Sequence, residues 1–385
     1  MELTRQEEMA LKGEYGEGLE LAYKILVAIG NANNATKLIP IKWAHISGVN
    51  FNTIGEAGVK FLSSIDKKIK VTVTTTLNPM GFDSKQDNNL SDYFKSNQIS
   101  IINSYLSLGI KPSFTCIPYE IFDLPNKGEI VSFAESNAAV FANSKLGLKT
   151  NKESALSALA SAIIGKTPFS DLLIDDNRNP KMSIQPEIGI ETEVDFGLLG
   201  YFAGKTTNES CIGLKVNSEN LDTLKSKALS AGIGTSGRGG MYNNAYSKGC
   251  EIVSFGKTEI NQVKDELNTA ENGELIVFGS PQLGTDELNL LAHLTEGKKF
   301  KKPCKIFCPR SVTEMECNNE IIKKLRNAGA DIICDSCTCL TPLITKNDYD
   351  SIVTNSIKCA YYMRHSNKID VSLRDMKTIT KEYCE

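Results

Sequence analysis

Four short apolar runs in the C-terminal part of the chain, Glu251–Phe255, Glu274–Phe278, Cys304–Cys308 and Asp331–Cys334, each give way to a helical stretch before the next begins. That alternation leaves few folds open. Runs that are apolar throughout, rather than at every second residue, fit strands buried on both faces, and strands joined through helices run parallel. A parallel sheet covered by helices follows, with the loops at its C-terminal strand ends converging on one crevice. Those loops hold Gly279-Ser280-Pro281-Gln282, Cys308-Pro309-Arg310-Ser311 and Asp335-Ser336-Cys337.

The same rhythm is present earlier. Strands are predicted at Leu38–Ile41, Lys70–Thr75, Ser113–Cys116 and Glu129–Phe133, with helices near Gly55–Ser64, Leu90–Leu108, Glu135–Leu146 and Lys152–Ile164, the last capped by Asn151. Thr4-x-x-Glu7 is a capping box that opens the first helix. The stretch from Pro180 to Lys257 differs: strands are predicted at Lys181–Ile184 and Ile188–Val194, then a helix Ser218–Ser230 capped by Ser218, then a glycine cluster. The expected organisation is α/β with mainly parallel sheets, divided as 1–179, an inserted or second smaller domain at 180–257, and 258–385.

With 385 residues, 41% of them hydrophobic, the chain can bury a full core. A formal charge of -3 argues against a general nucleic-acid binder, whose basic surface would show in the total. The longest apolar stretch, Ala158–Gly165, falls far short of the roughly 20 residues that span a bilayer, and the N-terminus carries Glu2, Arg5 and Glu7. No signal peptide or membrane helix is expected, and the cytoplasm is the expected compartment. Eleven cysteines are then reduced thiols or metal ligands. The three histidines, His45, His293 and His365, are too far apart in sequence to suggest a histidine zinc centre.

Cys116 and Cys337 both lie at predicted strand ends, where a reactive or metal-bound thiol would sit. Cys334-x-x-Cys337 followed by Cys339 could be a redox pair or half a zinc site, yet no second C-x-x-C exists, and Cys334, inside a predicted strand, reads as a small buried hydrophobe. Gly232-Ile233-Gly234-Thr235-Ser236-Gly237 matches G-x-G-x-x-G without a strand leading in, so a turn or a nest of backbone N–H groups is preferred to a dinucleotide fingerprint. Glu135-Ser136-Asn137, Asn143-Ser144 and Thr354-Asn355-Ser356-x-Lys358 gather short polar side chains at helix starts, as caps or as anion ligands. Arg310 is a candidate for bidentate binding of a carboxylate or phosphate.

Together, Glu7 to Gly18, Ala44-His45-Ile46-Ser47-Gly48, Thr75 to Gly81, Thr115-Cys116-x-Pro118-Tyr119, Glu135-Ser136-Asn137 through Asn143-Ser144, Leu198 to Tyr201, Gly279-Ser280-Pro281, Asp335-Ser336-Cys337 and Thr354-Asn355-Ser356-x-Lys358 resemble the large subunit of aconitase X proteins, end to end and in order. The resemblance implies an aconitase-like multidomain fold and a hydro-lyase that dehydrates (R)-5-phosphomevalonate to trans-anhydromevalonate 5-phosphate in archaeal isoprenoid synthesis. Its alternatives are dehydration of hydroxyproline or another hydroxy acid, or a non-catalytic iron–sulfur sensor. It implies a separate small subunit, bringing a serine base, and an iron–sulfur cluster of [4Fe-4S] type. Cys116 and Cys337 are the implied ligands. Ser280 stands where a third contribution is expected and Gln282 where relatives commonly have histidine, so Cys308 is taken as the third ligand. Ser280, Arg310 and Lys358 are the catalytic candidates, and His45, Asn78, Ser136, Asn137, Asn143, Ser144, Asn355 and Ser356 the candidates for the substrate pocket.

Overall fold

The structure is a computed structural model that describes residues 1–385 apart from 66–67, 87–88, 218–220 and 245–248. The N-terminal capping box forms as expected: the Thr4 side chain accepts from Glu7 N, and Glu7 Oε2 accepts from Thr4 N at 2.8 Å. Strand β1 (Leu38–Pro40) leads to β2 (Trp43–Ile46), β3 (Thr74–Leu77) and β4 (Val131–Phe133). The last three form a parallel sheet in the order β3-β2-β4, while β1 pairs antiparallel with β5 (Lys166–Pro168). The expected strand Ser113–Cys116 does not form. Pro112 lacks an N–H, Phe114 takes φ 40°, and the segment runs irregularly beside the end of β3, where Thr115 N donates to Leu77 O.

The middle region holds a second parallel sheet, β6 (Met182–Pro186), β7 (Cys211–Leu214), β8 (Met241–Asn243) and β9 (Glu251–Phe255), in the order β8-β7-β6-β9. The expected strand Ile188–Val194 is instead a loop and the start of the helix Glu193–Thr206. Thr192 and Asp195 close a capping box there, so local capping outweighs a short β-prone run. The expected cap Ser218 lies outside the described residues, and the helix Thr223–Ser236 is capped by Asp222, which accepts from Lys225 N at 2.8 Å.

That helix overturns the turn expected at Gly232–Gly237. It crosses Glu193–Thr206 backbone against backbone: a Cβ on Gly200 would lie 2.3 Å from Leu229 O, and one on Gly232 would lie 2.3 Å from Gly197 O. Glycine costs a helix interior about 1 kcal/mol against alanine. Here the missing side chain is what lets the two helices meet, and the close packing offsets that cost.

The C-terminal sheet contains β10 (Leu275–Phe278), β11 (Cys304–Cys308), β12 (Ala330–Cys334), β13 (Ser351–Thr354) and β14 (Asp370–Leu373), all parallel, ordered β12-β11-β10-β13-β14. Every residue of the central strand β10 is buried, as its unbroken apolar run requires. One core joins this sheet to the middle region, with Phe196, Leu229 and Phe255 packed into the same cluster as Val277, Phe307 and Ile352. A separate core lies under the N-terminal helices, around Leu26, Ile46, Leu77 and Ile101. Among the described residues no helix is long and apolar enough to cross a membrane.

Candidate active site

The C-terminal ends of the first and last sheets open onto a shared cavity of about 360 Å³. Its walls come from the loops after β2 (Ser47–Asn50), β3 (Asn78–Met80), β4 (Ala134–Ser136) and β12 (Cys337–Leu340), with Lys358 from the helix after β13. Strand-end loops do converge, across two sheets rather than one; of the three expected in the C-terminal sheet, Asp335-Ser336-Cys337 lines the cavity through Cys337, Ser280 and Gln282 reach its thiols from behind, and Cys308-Pro309-Arg310-Ser311 lies away from it. The halves are stitched together at the rim: Met80 N donates to Asp335 O at 2.9 Å, and Cys116 N to Gln282 Oε1 at 3.1 Å.

Cys116 and Cys337 both line this cavity, and Cys339 joins them. The Cys337 thiol hydrogen-bonds to both Cys116 and Cys339. These bonds and the nearby Lys358 ammonium hold Cys337 well below the usual thiol range, while burial pushes Cys116 and Cys339 up. Ser280 reaches the group from behind, its Oγ 2.7 Å from Cys339 Sγ, and Gln282 N donates to Cys116 Sγ at 3.1 Å. Cys337 is the partner of each of the other two thiols, and among the described residues no group of three or more His, Cys, Asp and Glu side chains encloses a metal position. As a donor set, three sulfurs on one cavity wall are nevertheless of the right kind for an iron–sulfur cluster.

Beside the thiols is a chain of buried polar groups. Lys358 ion-pairs with Glu135 and donates to Ser136 Oγ at 3.4 Å; burial alone would lower its pKa, but Glu135 more than offsets this and Lys358 stays charged. Glu135 Oε2 accepts from Asn78 Nδ2 at 2.7 Å, and Asn78 Oδ1 lies 2.8 Å from His45 Nε2. The network assigns the His45 tautomer: Nε2–H donates to Asn78, and Nδ1 accepts from Thr76 Oγ1 at 2.8 Å. Complete burial drives His45 down to about 4, so it is neutral near pH 7. Its place is behind Asn78, which itself faces the cavity.

Other expected residues lie elsewhere. Cys308, the expected third ligand, is fully buried at the end of β11 and interacts with Cys334 on the neighbouring strand, not with Cys116. Arg310 is held by ion pairs to Asp83 and Asp335 away from the cavity. Asn143 bonds to Thr150 and Gly240, and Ser144 Oγ accepts from Tyr242 N, so both hold the fold. Asn355 donates to Glu193, while Ser356 caps its helix through Cys359 N and donates to Ser280 O. Asn137 lies one layer behind the cavity, donating to Tyr119 OH at 2.9 Å. Sequence reasoning missed Cys339, Glu135 and Lys152 as cavity groups. The signal for the first was C-x-C at Cys337 and Cys339, hidden by attention to C-x-x-C.

Residues 1–176 match the family model of the aconitase X first domain, and residues 273–385 that of the aconitase X third domain. The chain belongs to the aconitase X family. The phosphomevalonate dehydratase large subunit of Methanocaldococcus jannaschii is 34% identical to it over 407 residues, covering 99% of this chain and 100% of that protein. The same subunit of Thermococcus kodakarensis is 34% identical over 396 residues, covering 99% and 100%. A solved structure, Thermococcus kodakaraensis aconitase X in its holo form, aligns over 100% of both chains with TM-score 0.91 and 34% identity. The cis-3-hydroxy-L-proline dehydratase of Hypocrea jecorina is 29% identical, and this chain spans 65% of its length.

Proposed function

We propose that this chain is the large subunit of a hydro-lyase that dehydrates (R)-5-phosphomevalonate to trans-anhydromevalonate 5-phosphate in the mevalonate route to isoprenoids. What supports the reading above all is the match to phosphomevalonate dehydratase large subunits over essentially the whole of both chains. The hydroxyproline dehydratases are longer proteins, of which this chain spans about two thirds.

Cys116, Cys337 and Cys339 are the side chains that would hold an iron–sulfur cluster, with Cys339 replacing Cys308 in that role. When bound, a cluster with one open iron position supplies a Lewis acid for the leaving hydroxyl and its neighbouring carboxylate. Lys358, kept charged by Glu135, presents a fixed cation to the substrate carboxylate. Asn78, clamped between His45 and Glu135, and Ser136 orient the hydroxy acid within the cavity. The second subunit is a separate small chain that closes the cavity and carries the base. The test is anaerobic co-expression with that small subunit, reconstitution with iron and sulfide, and an assay for anhydromevalonate phosphate. Product from (R)-5-phosphomevalonate is expected; turnover of a hydroxyproline in its place would move the assignment to the other branch of the family.

A further inference from the structure

Two lysines line the cavity, and their situations differ. Lys358 is ion-paired with Glu135. Lys152 has no ion pair among the described residues; its Nζ donates to two main-chain oxygens, Gly234 O at 3.1 Å and Gly237 O at 2.6 Å, at the C-terminal end of the helix Thr223–Ser236. An ammonium has three donors, so two carbonyls leave one to be satisfied. The order of groups along the cavity follows from their contacts. The helix that carries Lys358 is capped by Ser356, which donates to Ser280 O, and Ser280 Oγ lies 2.7 Å from Cys339 Sγ; on the other side Lys358 Nζ donates to Ser136 Oγ, and Ser136 packs against Gly234, whose oxygen accepts from Lys152. Lys358 therefore stands between the thiols and Lys152. A substrate whose carboxylate and hydroxyl sit at the thiol end extends its other end toward Lys152.

We propose that Lys152 binds the phosphate of the substrate and is the residue by which this cavity selects phosphorylated over unphosphorylated hydroxy acids. The inference rests on the dehydratase reading for the direction in which the substrate lies. Two like charges share a buried space, and an anion placed between them would offset their repulsion. Ser136, whose Oγ lies 3.4 Å from Lys358 Nζ, adds a hydroxyl within the same space. The main-chain oxygens on Lys152 fix its ammonium in place before substrate arrives, which limits the ordering cost of binding.

The test is calorimetric titration of the full-length chain, wild type, Lys152→Gln and Lys152→Arg, with (R)-5-phosphomevalonate, (R)-mevalonate and inorganic phosphate. Glutamine keeps amide donors for Gly234 and Gly237 while removing the charge. The expected result is that preference for the phosphorylated ligand falls about 10- to 100-fold in Lys152→Gln, the range of a lost charge-assisted hydrogen bond, and largely returns in Lys152→Arg. An equal loss for both organic ligands, or no loss, overturns the proposal. Wild type that binds inorganic phosphate but not phosphomevalonate, with the phosphate affinity lost in Lys152→Gln, would end the substrate reading and leave Lys152 as a phosphate ligand. If wild type binds no phosphate in any form, the Lys152 assignment fails, while the turnover assay judges the substrate reading separately. Should Lys152→Gln not fold, the pH dependence of the wild type decides. Burial and then Lys358 lower Lys152 to about 8, and Lys358, held charged by Glu135, does not titrate with it. The preference for phosphate should fall as pH rises through that value, and a preference unchanged at pH 9.5 overturns the proposal.

Discussion

Two groups of cysteines stand at strand ends of the C-terminal sheet, and only one faces the cavity. Cys337 and Cys339, after β12, meet Cys116 from the other half of the molecule, beside Lys358 and Glu135. Cys308 and Cys334, at the ends of β11 and β12, are register partners sealed beneath the Arg310 ion pairs to Asp83 and Asp335. Both sites set sulfur near an ion-paired cation, Lys358 with Glu135 in one and Arg310 with Asp83 and Asp335 in the other. The difference is what the cation is for. Arg310 gives its Nε to Asp335 and its Nη2 to Asp83 and so ties the N-terminal half to the C-terminal sheet, whereas Lys358 keeps its pair inside an open cavity.

The comparison is broken or sharpened most by removing the thiols. Cys116→Ala and Cys337→Ala should lower turnover of the reconstituted enzyme by more than the 10- to 100-fold typical of groups that merely support a ligand, with iron content falling in parallel. Cys334→Ala should leave iron content and turnover close to wild type. Loss of iron in Cys334→Ala, with iron retained in Cys337→Ala, would invert the assignment of the two sites.

The cations come next. Lys358→Met leaves Glu135 buried without its partner, at a cost of about 3–5 kcal/mol, and should also abolish activity at temperatures where the chain is folded. Arg310→Met leaves two buried carboxylates, Asp83 and Asp335, without their partner and should destabilise at least as much, yet it should remain active when folded. Urea unfolding beside the turnover assay separates the two effects; an inactive but fully stable Arg310→Met would return Arg310 to the chemistry.

The smallest expected effect is a pH dependence confined to the cavity side. The unfolded chain binds a proton at His45 below its ordinary value of 6.5, whereas the folded chain keeps it neutral down to about 4. The stability it contributes is present above pH 6.5 and lost as pH falls toward 4, by about 3 kcal/mol. His45→Gln should flatten that part of the acid limb. An unchanged slope would show that another group titrates there.

The sequence disclosed the sheets better than the site. Unbroken apolar runs such as Leu275–Phe278 have few alternatives to a buried strand, and the convergence of their ends follows from parallel order. The run Ile188–Val194 misled because its β-branched composition was weighed without the Thr192–Asp195 capping box. Cys116 reached the cavity without the strand expected to carry it. Cys308 was misplaced for a different reason: two residues can each end a parallel strand and still point into different compartments, and neither spacing nor composition records which. Arg310 failed in the same way, since its partner Asp83 is remote in sequence.

The crossing of Glu193–Thr206 with Thr223–Ser236 bears on all of this. Its glycines continue to Gly234, where a Cβ would come within 3.0 Å of the Ser136 carbonyl carbon, and whose oxygen receives Lys152. Peptide planes have no rotamers to adjust. The width of the cavity at Ser136 and Lys152 is therefore gauged largely by main chain, with the small Ser136 hydroxyl beside it, so it survives drift in the larger surrounding side chains and yet is lost to a single added methyl group.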